Sequence, residues 1–218
     1  PPTLSFVGSV RCVYETDHAA KPKRMQDIYD FYLLKNNLRV LDMLNVKYII
    51  DLNESGNIEL KTNEDVLGSA WFVDEIQKVA DSNQELLGLS SIDFKKTCLS
   101  TNLNNKIYPD SSENYIEIVD KRANQITYKV FSNDTGFIVF SEAFYKKGWV
   151  AKINGEITNH HKVNYLLRGL EVDKGEHEIV FTFEPNVIKT GTLLMASSNI
   201  LLLILVFFYF RNLIKNVR

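Results

Sequence analysis

The stretch "EHEIVFTFEPNVIKTGTLLMASSNILLLILVFFYF", residues 176–210, holds two periodicities in sequence and decides the fold. In its first part His177, Ile179, Phe181 and Phe183 alternate with Glu176, Glu178, Val180 and Thr182. One face is mostly apolar and the other mostly polar, as a half-buried antiparallel strand requires. In its second part, Thr190 to Phe210 contains no charged residue. At ~1.5 Å per residue a helix of that length covers the ~30 Å hydrocarbon core of a bilayer. "ILLLILVFFYF" is apolar all round, unlike a core helix with its polar face, so the run predicts a membrane span. Tyr209, Arg211, Lys215 and Arg218 form an aromatic and basic border on the C-terminal side only. The positive-inside rule then places the short tail in the cytoplasm and everything before Lys189 outside.

Ser197, Ser198 and Asn199 fall near the middle of the span, where small or hydroxylated residues mark contact with another helix. Two readings of Asn199 stand: a hydrogen bond to a neighbouring helix of a bundle, or an amide tolerated in a single-pass anchor.

Upstream, from about residue 112, short runs recur with turn residues between them: "NYIEIVDK", "QITYKVFS", "GFIVFSEAFY", "GWVAKI", "EITNH", "NYLLRGLEV" and "EHEIVFTFEP". These predict an antiparallel β-sandwich set directly on the span. Asn154-Gly155 fits the positive φ values of a two-residue hairpin, and Lys174-Gly175 predicts a later turn. Before residue 112 the pattern is mixed. "AAKPKRMQDIYDFYLLKNN" predicts a helix opened by Pro22 and ended by Asn36 and Asn37, and "LRVLDMLN" a short second one. "VKYII" and "IELKT" predict strands joined by "NESGN", and "AWFVDEIQKVA" a further strand. "SNQELLGL" predicts a short helix with Ser82 and Glu85 in capping-box spacing. The fold class is α+β: a mixed extracytoplasmic segment at 1–111, a sandwich at 112–188, the span at 189–212 and a basic tail at 213–218.

The chain has 218 residues and a formal net charge of -2. The tail supplies Lys189, Arg211, Lys215 and Arg218 without an acid, so the remainder is acidic, which argues against sequence-independent nucleic-acid binding. The first residue is Pro and no signal peptide follows, so the chain reads as part of something longer. Cys12 and Cys98 form no CxxC or Cys/His cluster, and a disulfide between them is an option outside the cytoplasm. The sequence contains no DxD metal site, GxSxG elbow, Walker loop or HExxH helix. Adjacent His160 and His161 point to opposite faces of a strand and close poorly on one metal. Asp74-Glu75 reads as a solvated face. The triplets at Asn53 and Asn133 match a glycosylation pattern common by chance. The most distinctive stretch is "FSEAFYKKGWVAKING", residues 140–155. Tyr145 and Trp149, with Arg168 nearby, form a candidate glycan contact, because a sugar's apolar face packs on an aromatic ring. The competing reading makes Trp149 a sandwich core anchor.

In their order, "HAAKPKRMQDIYDFY", "LDMLNVKYII", "GSAWFVDEIQKV", "VFSEAFYKKGWVAKING", "NYLLRGLEVDKGEHEIVFTFEP" and the closing span resemble the C-terminal region of the bacterial YfhO family, large polytopic membrane proteins similar to GT-C class glycosyltransferases. The resemblance covers the chain from His18 onward. Where the family often has a "GGYH"-like segment this chain reads "YETDHAAK", and nothing is carried over before His18. The resemblance implies location in the bacterial cell membrane and sugar transfer from a lipid-linked donor to an envelope acceptor, lipoteichoic acid being associated with some members. It also implies upstream membrane helices as partners and a catalytic acid in an early loop outside this chain. No catalytic residue, metal or cofactor of its own is therefore expected here. A membrane-anchored binding or structural module is the competing function.

Overall fold

The computed structural model describes residues 5–7, 22–35, 37–52, 57–109 and 113–216. Cys12, His18, the Asn53 triplet and most of the "NESGN" turn lie outside the described residues.

Strand β10 (Gly136–Ala143) organises the molecule. Its sequence GFIVFSEA is an unbroken apolar run over its first five residues, the pattern of a strand covered on both faces. It sits inside a four-stranded antiparallel sheet with β14 (Leu167–Val172) and β13 (His161–Val163) on one side and β4 (Ala70–Val73) on the other. Ile138 and Phe140 face a second, five-stranded antiparallel sheet. That sheet runs in the order β12 (Glu156–Thr158), β11 (Trp149–Ile153), β15 (Gly175–Phe183), β9 (Gln125–Ser132) and β8 (Tyr115–Arg122). Between the sheets Tyr128, Phe140 and Phe181 meet edge to face, with ring centroids 4.9 to 6.3 Å apart. Ile179 and Phe181 supply β15's inward face, as its alternation predicts.

Phe137 and Val139 point the other way, into a second core. There they meet helix α1 (Lys23–Phe31) through Met25 and Ile28, helix α2 (Leu38–Met43) through Val40, Leu41 and Met43, and helix α3 (Ser82–Gly88) through Leu86. A small mixed sheet, β6 (Thr97–Ser100), β5 (Glu75–Lys78) and β7 (Lys106–Ile107), adds Ile76, Cys98 and Leu99. Strands β1 (Ser5–Val7), β2 (Tyr48–Leu52) and β3 (Ile58–Thr62) form a further antiparallel sheet. The sandwich therefore takes a strand, β4, from before residue 112, and one of its sheets is the middle layer of three. Helix α4 (Asn186–Asn216) leaves from the end of β15, and its apolar part, Thr190–Tyr209, is not buried against the rest.

Several local expectations shift. "AWFVDEIQKVA" is two strands, because the chain changes sheets at Asp74: the Asp74 and Glu75 N–H groups both donate to Lys96 O. Asn37 opens a helix rather than closing one, its side chain accepting from Val40 N–H in α2. Asp81, not Ser82, caps α3, accepting from Asn83 and Gln84 N–H at 2.8 Å each. Glu85 turns inward and is fully buried. "NYLLRGLEV" is a turn plus a strand, since Asn164 and Tyr165 take positive φ (48° and 67°) and hinge β13 onto β14. Asn154 and Gly155 take φ of 52° and 86°, as the hairpin requires.

Candidate functional site

The β10–β11 connection, "FYKKG" at 144–148, is built by close approach. A Cβ on Gly148 would come within 2.3 Å of the Phe183 ring and 2.5 Å of the Tyr145 ring, so both aromatics lie directly on its backbone. Trp149 stands opposite Phe183 in the β11–β15 register, and Glu184 N–H donates to Gly148 O at 2.7 Å. The result is a row of rings, Tyr145 to Phe183 at 6.3 Å and Phe183 to Trp149 at 5.2 Å, at the end of the sandwich from which α4 departs. Tyr145 is half exposed, Trp149 is partly buried, and Lys146 and Lys147 are exposed.

Arg168 continues the row inward. It lies on β14 with 2% of its surface exposed, its guanidinium 4.2 Å from the Trp149 ring centroid and 5.1 Å from that of Phe181. Its Nε donates to Ala143 O at 2.9 Å. Burial lowers its pKa to about 10, with the Glu142 charge acting in the opposite direction. Three buried polar atoms around the Phe181 ring, Arg168 Nη1, Tyr128 Oη and His160 Nε2, have no hydrogen-bond partner among the described residues. Burial, then the Arg168 charge, pushes His160 down to about 4, and burial pushes the Tyr128 phenol up. The structure thus brings Tyr145, Trp149 and Arg168 into one row, with Tyr145 outermost and Arg168 on the far side of the indole from solvent.

A second cluster, unforeseen from sequence, lies toward the other end. A cleft of about 260 Å³ is lined by Asn104, Asn105, Lys106, Tyr108, His161 and Glu171. One Glu171 oxygen accepts from Lys106 Nζ at 2.5 Å and from Tyr108 Oη at 2.7 Å. Burial alone would raise the Glu171 carboxyl, but these two donors hold it below its usual range. Burial, and then the hydrogen bond to Glu171, raises the Tyr108 phenol. Burial lowers the His161 imidazole. His160 and His161 therefore part, one to the sandwich interior and one to the cleft. The only sequence signal for this site was His161, since the rest comes from strands distant in sequence. Among the described residues no group of three His, Cys, Asp or Glu side chains could hold a metal ion. Cys98 is fully buried in β6, and its thiol is pushed up by burial. Asn133 of the second glycosylation triplet donates to Glu113.

In the span, the Ser197 and Ser198 hydroxyls donate to Leu194 O at 2.9 and 2.8 Å, which satisfies them within their own helix. Asn199 makes no such bond among the described residues, and all three side chains are exposed.

Residues 89–195, covering β6 to β15 and the start of α4, match the family described as bacterial membrane protein YfhO. The chain is also 29% identical over 103 residues to the uncharacterized protein YfhO of Bacillus subtilis strain 168, an alignment that covers 46% of this chain and 11% of that protein. No solved structure matches. The sandwich and the junction with its apolar helix are thus the part that carries the likeness to the YfhO family of bacterial membrane proteins.

Proposed function

We propose that this chain is the extracytoplasmic, membrane-anchored part of an envelope glycosyltransferase that uses a lipid-linked sugar, with the reacting groups elsewhere in the full-length protein. The observation that carries this reading is the row Tyr145, Phe183 and Trp149 at the span end of the sandwich, with Tyr145 half exposed. A lipid-linked sugar is presented close to the bilayer surface, and a half-exposed tyrosine edged by Trp149 offers a sugar's apolar face a ring at that level. Arg168 serves this contact from behind, fixing the indole by stacking. The cleft at Lys106, Tyr108, His161 and Glu171 supplies donors and acceptors beside a ring, suited to a polyhydroxylated acceptor such as a lipoteichoic-acid-like polymer. The basic border after the span supports a cytoplasmic C-terminus. Asn199, polar at the middle of the span, supports contact with upstream helices of the same protein.

The test is made in cells lacking the gene and complemented with the full-length protein. Wild type restores sugar on the envelope polymer, while Tyr145→Ala restores markedly less at equal protein level. If the polymer carries the same sugar with or without the gene, the transferase reading falls and a binding or structural module remains.

A further inference from the structure

The two ends of the sandwich differ in charge. At the end away from α4, the carboxylates of Glu113, Asp134, Asp173 and Glu176 are exposed, as is Lys174, and Lys106 is paired with Glu171. At the α4 end, two turns carry basic residues. In the β8–β9 turn Lys121 is paired with Glu142 and Arg122 with Asp120, both at 2.8 Å. In the β10–β11 turn Lys146 and Lys147 are exposed and make no ion pair among the described residues. These turns are fixed to the chain where it enters the span. Phe183 N–H donates to Asn124 O beside one turn, and Glu184 N–H donates to Gly148 O beside the other.

The distance to the bilayer follows from the chain. Phe183 is followed by two residues, Glu184 and Pro185, before Asn186, and by four helical residues, 186 to 189, before Thr190. Extended chain and helix rise together allow at most ~16 Å between the Phe183 row and the first residue of the span. The headgroup layer fills roughly the first 5–8 Å of that distance. None of the span is buried against the sandwich, so the domain stands over the bilayer with this end down.

We propose that the Tyr145–Gly148 turn rests on the membrane surface, with Lys146 and Lys147 contacting anionic phospholipid headgroups and Tyr145 lying at headgroup level. Unpaired lysines beside an exposed tyrosine, on a turn tied to the chain entering the span by the Glu184–Gly148 backbone hydrogen bond, have the chemistry of a membrane-surface contact. The acidic far end is repelled from the same surface, so the charge asymmetry also orients the domain. This inference goes beyond the transferase reading and does not depend on it.

The test uses the full chain in nanodiscs of phosphatidylcholine alone or with an equal part of phosphatidylglycerol, in a Cys12→Ser background. A fluorophore on Ala123→Cys, at the span end, is compared with one on Lys174→Cys, at the far end, using headgroup-spin-labelled lipid as quencher. Strong quenching at 123, weak quenching at 174, and greater quenching at 123 in anionic discs are expected. Lys146→Glu with Lys147→Glu should weaken the anionic contribution by about fivefold per lysine, as should high salt. Equal quenching at both positions overturns the orientation. Quenching at 123 that ignores lipid charge, salt and the double reversal leaves the tether alone responsible and overturns the headgroup contact.

Discussion

Lys162 and Arg168 stand directly opposite each other in the β13–β14 register, yet their charges go to different cores. Both are nearly fully buried, at 7% and 2% exposure. The Lys162 ammonium meets the carboxylate of Glu85 on α3, itself fully buried, with Arg24 at 3.8 Å from the same oxygen. Burial lowers the Lys162 pKa and the Glu85 contact opposes that shift. Arg168 makes no ion pair among the described residues and lies between Trp149 and Phe181 with one carbonyl as its acceptor. The difference follows from the two cations. An ammonium is a compact, strongly hydrated point charge, and a buried one needs a counter-charge. A guanidinium is flat, delocalised and weakly hydrated, so ring faces can replace part of its water.

The largest effect comes from breaking the lysine's arrangement. Glu85→Ala leaves Lys162 buried without its carboxylate and should cost about 3–5 kcal/mol in denaturant unfolding of the full chain in micelles. Glu85→Leu together with Lys162→Met, which removes both charges, should recover to within about 1 kcal/mol of wild type. A small loss for Glu85→Ala would mean that the pair is not what joins α3 to β13.

The arginine's arrangement depends on rings held in place by the β10–β11 turn. Gly148→Ala pushes a methyl into Phe183 and Tyr145 and should cost about 1–3 kcal/mol by the same measurement, with loss of the Trp149 near-ultraviolet signal. An unchanged signal would show that the row is not seated on this glycine.

His160 is held low first by burial and then by the arginine's charge. Its folded pKa, about 4, lies below the ordinary 6.5, so as pH falls the unfolded chain takes up this proton first. The stabilisation is complete above pH 6.5 and is lost as pH falls from there toward 4. At about 1.4 kcal/mol per pH unit, discounted for the ring's partial exposure, the loss is on the order of 1–2 kcal/mol. His161 shifts in the same direction, so the measured quantity is the difference between wild type and His160→Phe, whose thermal stability should fall less steeply across that range. Parallel curves would mean that His160 is protonated in the folded protein.

Legibility from sequence divided along similar lines. β15, the Asn154-Gly155 hairpin and the span carry their signals locally, as alternation, as a positive-φ dipeptide and as an uncharged run. The β13–β14 turn was missed because Asn164-Tyr165 lacks a glycine. Asn164 is held in its conformation by long-range bonds, accepting from Leu99 N–H through its side chain and donating to Leu99 O through its backbone. Glu85 sat in capping-box spacing, and only the fold reveals that it is needed by a lysine 77 residues away. The ring row was visible because Tyr145, Gly148 and Trp149 are neighbours in sequence. The Glu171 cleft was not, since Lys106 and Tyr108 come from the small mixed sheet and its flank, and His161 and Glu171 from the sandwich.

Arg168→Met should have the smallest effect and is the sharpest test of the comparison. Methionine keeps apolar contact with Trp149 and Phe181 and ends the cost of burying a cation with an unpartnered Nη1. It gives up one hydrogen bond, but Ala143 is an exposed residue whose carbonyl can turn to water. These terms oppose each other, and the net loss should be under about 1 kcal/mol. Removing the charge also relieves His160, whose pKa should rise toward its ordinary value in an NMR titration. Arg168→Lys keeps the charge but cannot lie flat between the rings, and no buried carboxylate awaits it there, so the charge-conserving change should cost more than the neutral one. If Arg168→Met instead costs as much as Glu85→Ala, the rings alone do not solve the arginine's burial, and the contrast between the two cations fails.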